Sequence, residues 1–147
     1  MVRVAGNLTP QAANRQVLIP RITGIEDSSR NWSVLMTLDH LVIVNSAIID
    51  IIEALAGERL CSRRISIAGV KPKPSQSMET IQQFAEATQD YVERISHLDK
   101  LVTATRHTHP WFGRLDALGW HWLATVHQTI HRRQIEKIIG QGSISAD

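Results

Sequence analysis

Cysteine is nearly absent from this chain. Cys61 stands alone among 147 residues, so no intrachain disulfide can form, and a reducing compartment, the cytoplasm, is the expected setting. Long apolar runs are missing as well. The start, Met1-Val-Arg-Val-Ala-Gly-Asn7, carries no stretch of secretory-signal character. The longest uncharged run in the most apolar segment, Leu41 to Ile49, falls far short of the ~20 residues of a membrane span, so no membrane association is expected. A surplus of one charge sign is also lacking: 16 Lys and Arg oppose 14 Asp and Glu. The small basic excess gathers between Glu58 and Lys73, in Arg59, Arg63, Arg64, Lys71 and Lys73, without a single aromatic among them. Nucleic-acid footprints combine a larger surplus with interleaved aromatics. Nucleic acid is therefore not an expected partner, and a solvated loop, or at most an anion-binding edge, is the reading. Repeats and low-complexity tracts are absent too. Strand-like alternation occurs only in Arg64-Ile65-Ser66-Ile67, where a short extended piece is expected.

What remains is an ordinary globular composition, 43% hydrophobic and 20% charged, over a length that suits one domain with its own core. Four helices are predicted. Thr9-Pro10 is a good start, with a capping hydroxyl before a proline at the first helical position, and that helix should end or bend near Pro20. A second helix runs from about Ser33 to Ala56, stopped by Gly57. It is apolar over most of its circumference, which places it in the middle of a bundle or at a subunit interface and makes a homodimer the expected assembly. A third begins near Ser77 with Glu79 in its first turn. Its buried face is expected to carry Met78, Ile81, Phe84, Thr88, Tyr91, Val92 and Ile95. The fourth runs from near Asp116 to Gly140, with Trp120, Leu123, Ala124, His127, His131, Gln134 and Ile138 inward. An all-α four-helix bundle, one domain over residues 1–147 with a long loop between the second and third helices, is the economical architecture.

The chemistry is carried by histidine, of which there are seven. His127 and His131 are four residues apart, so on a helix both rings project from one face and can grip a single metal ion. They fall on the apolar stripe, where two unpartnered imidazoles are costly to bury. His40 sits on the second helix among Met36, Leu41, Ile43 and Val44. If it faces the fourth helix, three neutral nitrogens leave coordination positions open for water or substrate, as catalytic sites do. The same residues also admit a plainer account: a surface pair at helical spacing, and a hydrogen-bonded core histidine. His107 and His109 are expected in a solvated loop and His97 at a helix C-terminus. His121 is expected to be turned away from the ligand face. Trp111, Phe112, Trp120 and Trp122 read as core and rim packing, or as an aromatic wall of a pocket. Asp39 adjoins His40 but points elsewhere, and Cys61 has no neighbour that would activate it.

Asn31-Trp32-Ser33 leading into Leu38-Asp39-His40-Leu41, followed much later by His127-Gln-Thr-Ile-His131-Arg132-Arg133-Gln134, resembles the DinB/YfiT-like superfamily. The run from His109 to Gly113, His-Pro-Trp-Phe-Gly, is similar to a segment common among its members. The resemblance spans about Thr9 to Ile139 and implies a four-helix bundle, frequently dimeric. It also implies a divalent metal, zinc, nickel or iron, held by His40, His127 and His131. Relatives include transferases and isomerases that use low-molecular-weight thiols, and metal-dependent hydrolases. The expected function is therefore a metal-dependent enzyme that activates a thiol or a water against a small-molecule substrate, its catalytic residues beyond the metal set unknown. The alternative is a non-catalytic bundle that binds a ligand or partner, with metal structural or absent. The resemblance is weakest at Pro20 and in the basic loop, so it assigns no specific substrate.

Overall fold

The computed structural model describes residues 1–63, 66, 68–74 and 76–144, the last three by backbone only. It is mostly helical. Two short helices, α1 (Val2–Gly6) and α2 (Pro10–Asn14), precede three long ones, α3 (Val34–Ala56), α4 (Glu79–Ser96) and α5 (Ala117–Ile144). A two-stranded antiparallel hairpin, β1 (His107–His109) and β2 (Gly113–Leu115), leads into α5.

The elements follow from their ends. Ser33 caps α3, its Oγ accepting the Met36 N–H at 3.1 Å, and Gly57 closes it. Thr9 caps α2 in the same way, accepting the Ala12 N–H at 3.2 Å, with Pro10 in the first turn as expected. The helix then stops at Asn14, well short of Pro20. Tertiary hydrogen bonds override its propensity: Val17 and Ile19 donate their N–H groups to the carbonyls of Trp32 and Arg30 at 3.4 and 3.1 Å, which holds this stretch extended. Asn14 is tied to the far loop by two bonds with the Gln76 backbone, at 2.8 and 3.2 Å. Helix α5 continues past Gly140, which is not among the positive-φ glycines, so no left-handed cap ends it there.

Helix α3 packs against both α4 and α5. Much of its apolar circumference is thus buried within the chain. Among the described residues it alone is long and apolar enough to cross a membrane, yet 72% of that window is buried inside the fold, as a core helix is. Arg94 locks α4 to α3 by donating to Glu53 at 2.6 and 2.8 Å and to Asp50 at 2.9 Å. The Glu53 carboxyl is held below its usual range chiefly by that bond. On α4, Thr80, Ile81 and Phe84 are buried, whereas Val92, placed inward by its spacing, is 56% exposed.

The core has two parts. Leu35, Leu38, Leu41, Phe84, Ile135 and Ile138 form one, and Val44, Ile48, Ile52, Leu55, Trp120 and Ala124 the other. On α3 the first ends at Leu41 and the second begins at Val44. On α5 the boundary falls between Ala124 and Ile135, the stretch that carries His127 and His131, and on α3 His40 lies just before it, next to Leu41. The extended piece predicted at Arg64-Ile65-Ser66-Ile67 lies outside the described residues apart from Ser66. What is described of that connection includes one short 3-10 turn, Ala68–Val70, which touches α3.

Candidate metal centre

Helix α3 supplies His40, and α5 supplies His127 and His131 from one face. His127 Nε2 lies 3.1 Å from His40 Nε2 and 3.1 Å from His131 Nε2, and one ligand atom from each ring falls within 4.8 Å of the others. His40 and His131 are buried, at 6% and 4% exposure.

The outer nitrogens settle the tautomers. His40 Nδ1 lies 2.6 Å from the Val70 carbonyl, which can only accept, so Nδ1 carries the proton and Nε2 keeps its lone pair. Gln134 is fully buried, and its Nε2 donates to the Ser29 carbonyl at 2.8 Å. Its Oε1 therefore faces His131 Nδ1, 2.7 Å away, and fixes the proton there as well. Both rings thus present lone pairs to His127, whose Nε2 can donate to at most one of them. His127 Nδ1 is buried with no hydrogen-bond partner.

Electrostatics keep all three neutral. Burial first, then the neighbouring His131 and His40, pushes His127 down to about 2. His131 is pushed down to about 3 by burial and then by His40. His40 is lowered by burial against the opposing pull of Val70, Asp39 and Glu26. Three convergent nitrogens with at most one proton among them are an electron-rich set that a cation would satisfy. Their 3.1 Å spacing is close to the ~3.3 Å between two nitrogens bonded to one tetrahedral zinc. The residues present therefore fit a divalent metal.

Above the histidines is a cavity of about 200 Å³. Its walls are mostly apolar and aromatic, with Trp32, Trp111, Phe112, Trp120, Leu123 and Ile130 prominent. Trp32 stacks on His131 at a ring separation of 6.2 Å and 12°, and approaches His40 at 5.1 Å. Glu26 is the single carboxylate in the lining, and Lys71 is also there. Trp111 and Phe112 reach the cavity from the hairpin tip, so the aromatic-wall reading holds for them and for buried Trp120. Trp122 is 62% exposed and not in the lining.

The two loop histidines differ from expectation, whereas His121 and His97 do not. His109 is half-buried and lines the cavity, and His107 packs on Trp120 at 5.7 Å, so neither is simply a solvated loop ring. His121 accepts from or donates to the Tyr91 hydroxyl at 2.9 Å, away from the site. His97 caps the end of α4 with its ring on the Glu93 carbonyl, 2.7 Å away. Asp39 binds the Lys73 N–H and Gln76 Nε2 at 3.3 and 2.8 Å, pinning the loop that brings Val70 to His40. In the basic segment Arg63 is paired with Asp50. Trp32, Glu26, Val70 and Gln134 are site residues that the histidine spacing does not reveal. For Gln134 a signal exists, since an amide three residues past a ligand histidine can reach its Nδ1.

The profile of the DinB superfamily matches residues 1–135 of the chain. No curated protein and no solved structure matches it.

Proposed function

The chain belongs to the DinB superfamily, and on that footing we propose that it is a metal-dependent enzyme whose His40, His127 and His131 hold one divalent ion, zinc, nickel or iron. The observation that carries this reading is the pair of fixed tautomers, which turns two buried Nε2 lone pairs onto His127 beneath a cavity. When bound, the ion would supply Lewis acidity that lowers the pKa of a low-molecular-weight thiol or of water, so transfer or hydrolysis is the reaction class. Three uncharged ligands leave its charge uncompensated by the protein, which favours such an anionic partner. Trp32 shields the ligand rings from water, and Val70 and Gln134 hold them in register. Glu26 is the carboxylate in the cavity lining, and it is our candidate to take a proton from the thiol or water. A cytoplasmic setting, in which Cys61 stays reduced, suits this chemistry.

The test is metal content by mass spectrometry on protein purified without a metal-affinity tag. About one equivalent is expected. None, even after supplementation with zinc, nickel and iron, would overturn the proposal. Gln134→Leu removes the acceptor that holds His131 Nδ1–H. Metal affinity in that variant is expected to fall about 10- to 100-fold, read by competition with a chromophoric chelator. The predominantly apolar wall also suits a second reading, a bundle that binds a ligand without transforming it. Stability that barely responds to chelation, with no turnover of thiol or hydrolysable substrates, would favour that account.

A further inference from the structure

His109 stands at the end of β1, and its side chain works on its own turn. Its Nδ1 accepts the N–H groups of Trp111 and Phe112 at 3.2 and 3.3 Å. A nitrogen that accepts cannot carry a proton, so the ring is fixed with its proton on Nε2. The Phe112 and Trp120 rings, 5.0 and 5.3 Å away, hold it against the cavity wall. Burial lowers its basicity, in keeping with a neutral ring. Any hydrogen bond that His109 makes to an occupant of the cavity it lines is therefore donated by Nε2. His40 and His131 offer no such donor, because they commit their protons to Val70 and Gln134.

The space selects the body of that occupant. A dry apolar cavity of about 150 Å³ takes up benzene, so one of about 200 Å³ suits a single ring with a short substituent. Four aromatic side chains, Trp32, Trp111, Phe112 and Trp120, line it. Aromatic rings pack well on such walls, and an occupant that carries an acceptor can take the proton that His109 Nε2 donates.

We propose that the cavity binds a single-ring aromatic compound bearing a carbonyl oxygen, and that the Nε2–H of His109 is the donor that orients it. This deepens the enzymatic reading by naming the substrate class, but the donor is present with or without metal. The two ideas can therefore fail separately.

The experiment uses the full chain as purified and again after chelation, with acetophenone as probe and ethylbenzene as the matched ligand lacking an acceptor. Nitrogen-15 spectra of the histidine rings are expected to show His109 protonated on Nε2, with that proton moving on addition of acetophenone but not of ethylbenzene. His109→Asn keeps an acceptor for the Trp111 and Phe112 N–H groups and removes the distal donor. It is expected to weaken acetophenone binding about fivefold while changing ethylbenzene less than about twofold, followed by tryptophan fluorescence. His109→Gln, with a donor nearer the Nε2 position, is expected to recover part of the loss. The proposal is overturned by a wild-type ring protonated on Nδ1, by equal weakening of both ligands in His109→Asn, or by binding of neither ligand to the folded wild type. Should His109→Asn fail to fold, the wild-type tautomer and its response to the two ligands decide the matter. Metal content, measured on the same samples, separately reports the fate of the metal reading.

Discussion

His131→Ala and His127→Ala are each expected to purify with less than about a tenth of an equivalent of metal while keeping the helical content of the parent. Three protein ligands are what an open catalytic site carries, and either variant leaves two. The fold should survive because the histidines separate two apolar core regions rather than build either one. The two variants differ in what they leave behind. His131→Ala strands Gln134 Oε1, fully buried, at a cost of about 1–3 kcal/mol. His127→Ala gives up at most one Nε2–H bond, to His40 or His131, and its Nδ1 has no partner to lose, so the metal-free variant should stay within about 1–2 kcal/mol of the metal-free parent. The difference should then appear on adding metal. A ligand at about a thousand times its dissociation constant stabilises the native state by about 4 kcal/mol, and that increment is expected in the parent and missing in both variants. Full metal occupancy in either folded variant would place the ion elsewhere.

Much of this site could be read from the sequence because it rests on local rules. Ser33 and Gly57 bound α3, and the four-residue spacing of His127 and His131 needs only helical geometry to put both rings on one face. His40 could be placed on its helix, but its facing depends on how α3 meets α5, which is a tertiary matter. What escaped the reading lies in segments whose conformation is set by distant partners. Residues 15–19 give up helix for hydrogen bonds to Arg30 and Trp32, and that pairing places Trp32 beside the histidines. Val70 enters the site at the end of one short 3-10 turn and Glu26 from the extended residue before another, Asp27–Ser29, neither with a periodicity to detect. The hairpin did carry a signal: Gly113 adopts φ 70°, and a glycine closing a tight connection marks such turns. Its strands, three residues each, are too short to show alternation, so the sequence pattern reads His109 as a loop residue rather than part of the cavity wall.

Acid should destabilise the metal-free protein steeply before its carboxylates titrate. Burial pushes His127 and His131 down to about 2 and about 3, far below the ordinary imidazole value of about 6.5. Below pH 6.5 the unfolded chain therefore binds protons that the folded chain refuses, and stability falls as pH falls. It is fully present above that value and drains away as pH drops toward the folded values. With both rings contributing, the slope approaches about 3 kcal/mol per pH unit, and His40, also lowered by burial, steepens it. From pH 6.5 to 4.5 such a slope removes about 5 kcal/mol, the lower end of a typical total stability of about 5–15 kcal/mol. The depressed carboxyls, Glu53 through Arg94 and Glu58 to about 2 through Lys100 and the Thr105 and Ala104 N–H groups, act in the same direction. Their contribution is present above the unfolded value of 4.5 and is lost only as pH falls below it, so the interval from 6.5 to 4.5 reports the histidines. Urea unfolding followed by circular dichroism at intervals across that range should give the steep line for the parent. In His127→Ala the contribution of one of the two most depressed rings should disappear. A parent whose stability is flat from pH 6.5 to 4.5 would mean that these rings are not held neutral in the fold, and the lone pairs on which the metal centre depends would not be there.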